Sequence, residues 1–134
     1  MSLESTRKED VQIGDEMEDG TIYAGISPAT HKPMYATPAD APLTMEWKLA
    51  MKYAAKLDAH GYRDWRVPDP SELNVLFQNR AAIGAFNGSG SDDPDRWYWS
   101  SVEHYPNGAW AQRFSDGTRA DYGKCHPTSL RCVR

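Results

Sequence analysis

The sequence predicts an α+β domain in which two helices precede an antiparallel β meander. Apolar residues recur at helical spacing before residue 80, and turn signals recur at short intervals after residue 105. The 134 residues, 40% of them hydrophobic and 11% aromatic, suit one domain that buries roughly two thirds of its unfolded surface. We therefore expect a single domain over residues 11–134 behind a flexible, charged arm at residues 1–10.

The first helix is predicted over about residues 44–60, with Gly61 as its C′ residue. Its apolar residues share one face: Trp47, Ala50, Met51, Ala54 and Leu57. The second helix is predicted over about residues 69–80, because Asp69, Pro70 and Glu72 form a capping box with proline at the first helical position. Upstream, the turn signal at residues 19–20 predicts a strand over residues 21–24.

Three reversals near the C-terminus predict a four-stranded meander that ends in residues 130–134. Two-residue turns at Asn107-Gly108 and Asp116-Gly117 would place Tyr105 opposite Trp110, and Phe114 opposite Arg119. A third reversal at Thr128-Ser129 would place Cys125 opposite Cys132.

Charge and hydropathy exclude several classes of function. The net charge is −4, and residues 1–60 carry six Lys/Arg against ten Asp/Glu, while residues 61–134 carry nine of each. Because no basic patch stands out, we expect no nucleic-acid binding. The mean hydropathy of −0.72 and the absence of an apolar run near 20 residues predict a soluble domain without membrane insertion. No signal peptide is visible, and the cellular location stays open.

Three motifs follow one another in a recognisable order. They are residues 61–68 with Glu72-Leu73 in a short helix, residues 98–101 followed by Ala109-Trp110, Phe114 and Asp116-Gly117, and residues 131–134. This order resembles the uncharacterised bacterial and phage family named after the C-terminal domain of collagen-like adhesins (Lcl C-terminal domain). The match is strongest over residues 60–134 and looser over residues 20–28 and 44–60. The resemblance implies a C-type-lectin-like fold, a twisted antiparallel sheet with two flanking helices and a long loop over residues 84–96. It implies no reaction, because this fold hosts many functions.

Seven residues of the aromatic strand and the meander are our candidates for binding. They are Tyr98, Tyr105, Trp110, Arg113, Arg119, Asp121 and Tyr122. Aromatic rings stack on sugars and are enriched at interfaces, and the resemblance implies that the last strands display a partner face. Two alternatives stay open: Trp97 and Trp99 fill the core while Tyr98 points outward, and the charges are ordinary solvent-facing side chains of a half-exposed sheet.

The loop over residues 84–96, the acidic loop, contains weak candidates for a metal site. Asp92, Asp93 and Asp95 offer oxygen ligands of the kind that calcium takes. However, the Glu-Pro-Asn or Gln-Pro-Asp motif of calcium-dependent sugar binders is absent, and Trp97-Tyr98-Trp99 replaces their Trp-Asn-Asp. We therefore predict no cofactor and a fold that does not need calcium.

The chain has two cysteines, Cys125 and Cys132. Opposed positions in a ladder bring Cβ atoms close to disulfide distance, so the pair is a bridge in an exported protein or two buried thiols in a cytosolic one. Cys125 and His126 are neighbours on a predicted strand and would point to opposite faces, which argues against a nucleophile beside its base.

The sequence predicts a non-catalytic ligand- or receptor-binding domain, phage or surface associated, with a protein or glycan receptor. One alternative is a structural or assembly subunit of a phage tail or surface complex, with homo-oligomers. A third is a formylglycine-generating-type enzyme, which the resemblance brings in through the shared fold. The short chain and its two paired or structural cysteines argue against that enzyme.

Overall fold

A computed structural model describes residues 11–87 and 96–134. Within these residues the helices are α1 (Trp47–Lys56), α2 (Pro70–Gln78) and α3 (Arg80–Ile83). The strands are β1 (Ile22–Ile26), β2 (Pro33–Ala36), β3 (Trp97–Tyr105), β4 (Gly108–Arg113) and β5 (Arg119–Gly123). The predicted α+β class is confirmed. The arm at residues 1–10 lies outside the described residues.

Helix α1 is shorter than predicted at both ends. Met45 is extended and pairs with Thr128, so the helix begins only at Trp47. It ends at Lys56, because Leu57 already has extended backbone angles. Gly61, at φ 84°, does not cap the helix but forms a tight reversal with His60.

Helix α2 begins as the sequence predicts. The Asp69 carboxylate accepts a hydrogen bond from the Glu72 N–H at 2.8 Å, and Glu72 Oε1 accepts one from the Asp69 N–H at 3.0 Å. The capping box is therefore confirmed. The helix ends at Gln78, and Asn79, at φ −109°, separates it from α3.

Strands β3, β4 and β5 form an antiparallel sheet in that order, and β1 and β2 form a separate hairpin. The predicted register is wrong at both turns: Tyr105 pairs with Gly108, and Gln112 pairs with Arg119. Gly108 is the first residue of β4, so the first loop is Pro106-Asn107. The second loop is longer than two residues, because Phe114 leaves the ladder and is fully buried.

The predicted fourth strand does not pair with β5. Residues 128–134 return to the other edge of the sheet, beside β3. There the Ser129 N–H donates to the carbonyl of Trp97, and the Ser129 carbonyl accepts from the Trp99 N–H. Val133 then bridges to Ala36 and Arg66. This segment is buried from Thr128 to Val133, so burial against the body decides its path.

Strand β3 lies between two hydrophobic clusters. Trp97 and Trp99 pack with α1, where Trp47 Nε1 donates to the carbonyl of Ser100 at 2.9 Å. Tyr98 packs on the other side with Phe114 and with the apolar residues of α2, β1 and β2. The first residues of β3 are therefore covered on both faces of the sheet. The expectation that Tyr98 points outward is wrong, since this residue is 0% exposed.

Candidate functional site

The sheet face on the α2 side is uncovered toward the β3–β4 turn, and we call this region the open face. Its residues are Val102, His104, Tyr105, Trp110, Arg119 and Asp121. Tyr105 joins the face of its neighbour His104 because the ladder is irregular after Glu103, and its hydroxyl donates to Asp121. Trp110 lies directly opposite Asp121 in the ladder, so the two side chains share a face. Val102 is 41% exposed and Tyr105 54%, and Trp110 is half-buried. The open face therefore presents aliphatic, aromatic and charged groups side by side.

A groove of about 260 Å³ lies where α2 meets the open face. Its walls are mostly apolar, with a few polar groups, and are formed by Pro70, Leu73, Ser100, Val102, Trp110, Ala111, Gln112 and Arg119. Helix α2 supplies one wall because its capping box places Pro70 in the first turn. The groove is thus formed by α2 and all three strands of the larger sheet.

Two polar groups of the groove have unused bonding capacity. Gln112 is 2% exposed, and its Nε2 donates to Asn74 Oδ1 at 2.9 Å and to the carbonyl of Gly117 at 3.1 Å. Its buried Oε1 accepts no hydrogen bond from any described residue. Arg119, opposite Gln112 in the ladder, is exposed, and its guanidinium has no acidic partner among the described residues.

Asp121 is engaged within the open face through Oδ2, whereas its buried Oδ1 accepts no hydrogen bond from any described residue. The Tyr105 hydroxyl and the nearby His104 hold the pKa of Asp121 below its usual range, with the hydrogen bond from Tyr105 the larger cause. His104 Nδ1 lies 3.2 Å from Asp121 Oδ2. A Cβ atom on Gly108 would lie only 2.0 Å from Asp121 Oδ1, so a larger residue at position 108 would displace this carboxylate.

Four of the seven predicted binding residues come together here, and three do not. Arg113 and Tyr122 lie on the opposite face. The ring of Tyr122 stacks on that of Trp97 with the centroids 5.2 Å apart, and the Arg113 guanidinium lies over the same Trp97 ring and pairs with Asp116. The third, Tyr98, is buried. Sequence reasoning missed Val102, His104 and Gln112. Side chains alternate between the two faces along a strand, so Val102 and His104 lie on the same face as the predicted Tyr98, and Gln112 lies on the same face as the predicted Trp110.

Tyr98 instead belongs to a buried polar network at the start of the acidic loop. Its hydroxyl donates to Asp40 Oδ2 at 2.5 Å and accepts from the Asn87 N–H at 2.8 Å. Arg131, 1% exposed, pairs with Asp40 at 2.9 Å and donates to the carbonyl of Gly84 at 3.2 Å. Burial raises the pKa of Asp40, against the opposing effect of the Arg131 charge. The network fixes residues 84–87 to the body of the protein.

Both cysteines are free thiols. Cys125 is exposed, whereas Cys132 is buried between the sheet and α1, and burial raises the pKa of its thiol to about 12. The predicted opposition of the two is wrong, because residues 128–134 do not pair with β5. Among the described residues no group of three or more His, Cys, Asp or Glu side chains could hold a metal ion. The candidates Asp92, Asp93 and Asp95 lie outside the described residues.

Comparison with known proteins agrees with the order of motifs in the sequence. No curated protein matches the chain significantly. Within the described residues no helix has the length and apolarity needed to cross a membrane. The profile of the Lcl C-terminal domain family matches residues 17–134, which include every described helix and strand, and the chain belongs to this family.

Proposed function

We propose that this chain is a non-catalytic binding domain of C-type-lectin-like type that recognises a protein or glycan receptor through the open face. The observation that carries the proposal is the grouping of Tyr105, Trp110 and Arg119 on one uncovered part of the larger sheet. Tyr, Trp and Arg are the residue types that most often dominate binding energy at interfaces.

The exposure of these side chains supports recognition rather than packing. Val102 and Tyr105 are among the large hydrophobic residues that remain more than 40% exposed in the described part of the chain. Adjacent exposed apolar residues with a polar rim are typical of interaction sites. His104, whose ring lies 4.7 Å from that of Trp110, supports one side of the indole. The aromatic surface is therefore held in place before a partner arrives.

The environment of the thiols supports the non-catalytic part of the proposal. A nucleophilic cysteine needs a lowered pKa and access to substrate. Cys132 has neither, because it is 2% exposed and burial raises its pKa.

Binding assays on variants of the open face test this proposal. The wild-type protein is applied to a glycan array and to a display library of surface proteins, and the best ligand is titrated against Trp110→Ala and Tyr105→Ala. We expect each variant to bind at least about tenfold more weakly, as truncation of an interface anchor does. Ile26→Ala is the matched control, because Ile26 is a 52% exposed hydrophobic residue that lies outside the open face and both grooves. Thermal melting checks that every variant is folded.

The proposal is wrong if folded Trp110→Ala and Tyr105→Ala both bind the selected ligand as the wild type does. It is equally wrong if the wild type binds neither glycan nor protein.

A second groove favours an assembly subunit as the other candidate function. It is broad, about 890 Å³, runs along α1, and is lined largely by apolar side chains, including Leu43, Met45, Leu49, Tyr53, Leu57 and Pro127. Leu43 is 74% and Leu49 51% exposed, as in surfaces that pair in oligomers. Light scattering decides: an assembly subunit forms oligomers that Leu49→Glu dissociates, whereas a monomer at every concentration tested excludes this candidate.

A further inference from the structure

We infer that the groove between α2 and the open face binds the carboxyl-terminal apolar residue of a peptide or protein partner. This inference rests on the proposed function and names the chemical class that the open face would recognise. It follows from three features of one small groove: Arg119, which has no acidic partner among the described residues, Gln112 Oε1, which accepts no hydrogen bond from them, and a mostly apolar wall.

The cation is Arg119, at the rim. Its guanidinium has no acidic partner among the described residues, and the nearest carboxylate on the same strand, that of Asp121, is engaged with His104 and Tyr105. A guanidinium presents a planar set of donors that matches a carboxylate with two parallel hydrogen bonds. Charge complementarity therefore calls for an anionic planar group beside Arg119.

The acceptor is Gln112 Oε1. The two hydrogen bonds that Nε2 donates to Asn74 and Gly117 fix the orientation of the amide, so the carbonyl oxygen is the group that no described residue reaches with a donor. A buried acceptor without a hydrogen bond destabilises a protein until a donor reaches it. Since Gln112 and Arg119 are directly opposed in the ladder, their Cβ atoms are roughly 5 Å apart. The ligand therefore carries a donor close to its carboxylate, as the last peptide N–H of a chain does.

Apart from Ser100, the remaining lining is apolar, and it leaves room for one side chain. Pro70, Leu73, Val102 and Trp110 offer no group that could satisfy several hydroxyls of a sugar ring. The volume of about 260 Å³ is below the usual range of ligand sites, roughly 300–1,000 Å³, so the groove itself encloses a group of about the size of one residue. An apolar residue that ends in a carboxylate meets all three requirements.

Calorimetric titration of the full chain with short peptides tests the inference. The probes are N-acetyl-Gly-Ala-Leu with a free carboxylate, the same peptide as its carboxyl-terminal amide, N-acetyl-Gly-Ala-Ser, and glucuronic acid. We expect the free acid to bind and the amide to bind about ten- to a hundredfold more weakly, because a charge-assisted hydrogen-bond pair is lost. The serine peptide should also bind more weakly than the leucine peptide.

On the protein side, Arg119→Gln should reduce the affinity for the free acid to that for the amide. Arg63→Gln, which changes an exposed arginine elsewhere, should have no effect. The comparison of acid with amide uses only the wild-type protein, so it does not depend on the folding of a variant.

Equal affinity for acid and amide, an unchanged affinity in Arg119→Gln, or no binding of either leucine peptide overturns the inference. Tighter binding of glucuronic acid than of the leucine peptide overturns it in favour of an acidic sugar. If these peptides fail while another ligand binds through Trp110, only this inference fails and the proposed function stands.

Discussion

Glu72 is the residue on which we expect the structure around the groove to depend most. It is fully buried, and its carboxylate accepts four hydrogen bonds. Arg66 Nη1 and Nη2 donate at 2.5 and 2.7 Å, the Ser27 hydroxyl at 2.5 Å, and the Asp69 N–H at 3.0 Å. One side chain thus joins the end of β1, the segment before α2 and the first turn of α2.

Glu72→Gln keeps the size of the side chain but replaces one acceptor oxygen by an NH₂ group. That group then faces a donor that the carboxylate had accepted from, such as the Arg66 guanidinium. Breaking a buried ion pair destabilises a protein by about 3–5 kcal/mol. The Arg66 side chain is 40% exposed and can return to water, so we take the lower end, about 3 kcal/mol. For a chain of this length that loss lowers the melting temperature by about 10 °C. Urea denaturation at pH 7 measures it, with Glu18→Gln as the exposed control.

The pH dependence gives an independent check. Burial raises the pKa of Glu72, but the hydrogen bonds from Arg66 and Ser27 outweigh burial, and the pKa lies below its ordinary value of 4.5. Because the folded pKa is lower than the unfolded one, this carboxylate stabilises the fold above about pH 4.5. Its contribution is lost as the pH falls through the folded pKa. The difference in unfolding free energy between wild type and Glu72→Gln should therefore narrow in acid.

A loss of less than about 1 kcal/mol at pH 7 would refute this account, because it would mean that the four hydrogen bonds give no net stability. A difference that stays constant from pH 7 to pH 3 would refute the assignment of the effect to the ionised carboxylate. Glu18→Gln should change neither the unfolding free energy at pH 7 nor its dependence on pH, since surface substitutions usually change the unfolding free energy by no more than about 0.5 kcal/mol.

Three further predictions concern the thiols, a turn and the acidic loop. Without reductant, a thiol reagent should modify one cysteine of the native protein, the exposed Cys125, and two after denaturation; two unreactive cysteines in the denatured protein would indicate a disulfide instead. Gly117→Ala should lower the unfolding free energy by about 1 kcal/mol or more beyond Gly61→Ala. Both glycines have φ 84°, but only at Gly117 would the new Cβ lie 2.6 Å from a described side chain, that of Phe77, so equal losses would contradict the clash. Melting temperatures with EDTA and with calcium should agree, and a rise of several degrees on adding calcium would show that a metal contributes to folding.

Local signals in the sequence predicted local structure well. The capping box at Asp69 and Glu72 needs only four consecutive residues, and the structure contains both of its hydrogen bonds. The sequence did not predict that the same Glu72 carboxylate also receives Arg66 and the distant Ser27, because 45 positions separate Ser27 from Glu72. A pairing over such a distance depends on the whole fold and leaves no periodic pattern.

The aromatic strand shows why burial was harder to predict than strand formation. A strand with one covered face shows buried and exposed residues in alternation. In β3 the first four residues, Trp97 to Ser100, are all buried, because one cluster packs against each face. The rule of alternation therefore predicted an outward Tyr98, whereas this side chain joins Asp40 and Arg131 inside the protein.

The site was predictable in part, and the limit has a geometric cause. Successive residues of a strand point to opposite faces, so Trp110 and Arg113 could never share a surface, and neither could Asp121 and Tyr122. The sequence alone thus divides the candidates into two sets. Which set faces solvent depends on where the helices pack: the Arg113 and Tyr122 set faces the cluster that contains α1, whereas α2 covers only part of the other face. The uncovered remainder of that face is where Trp110 and Arg119 stay accessible, so the length and position of α2 determine the extent of the candidate site.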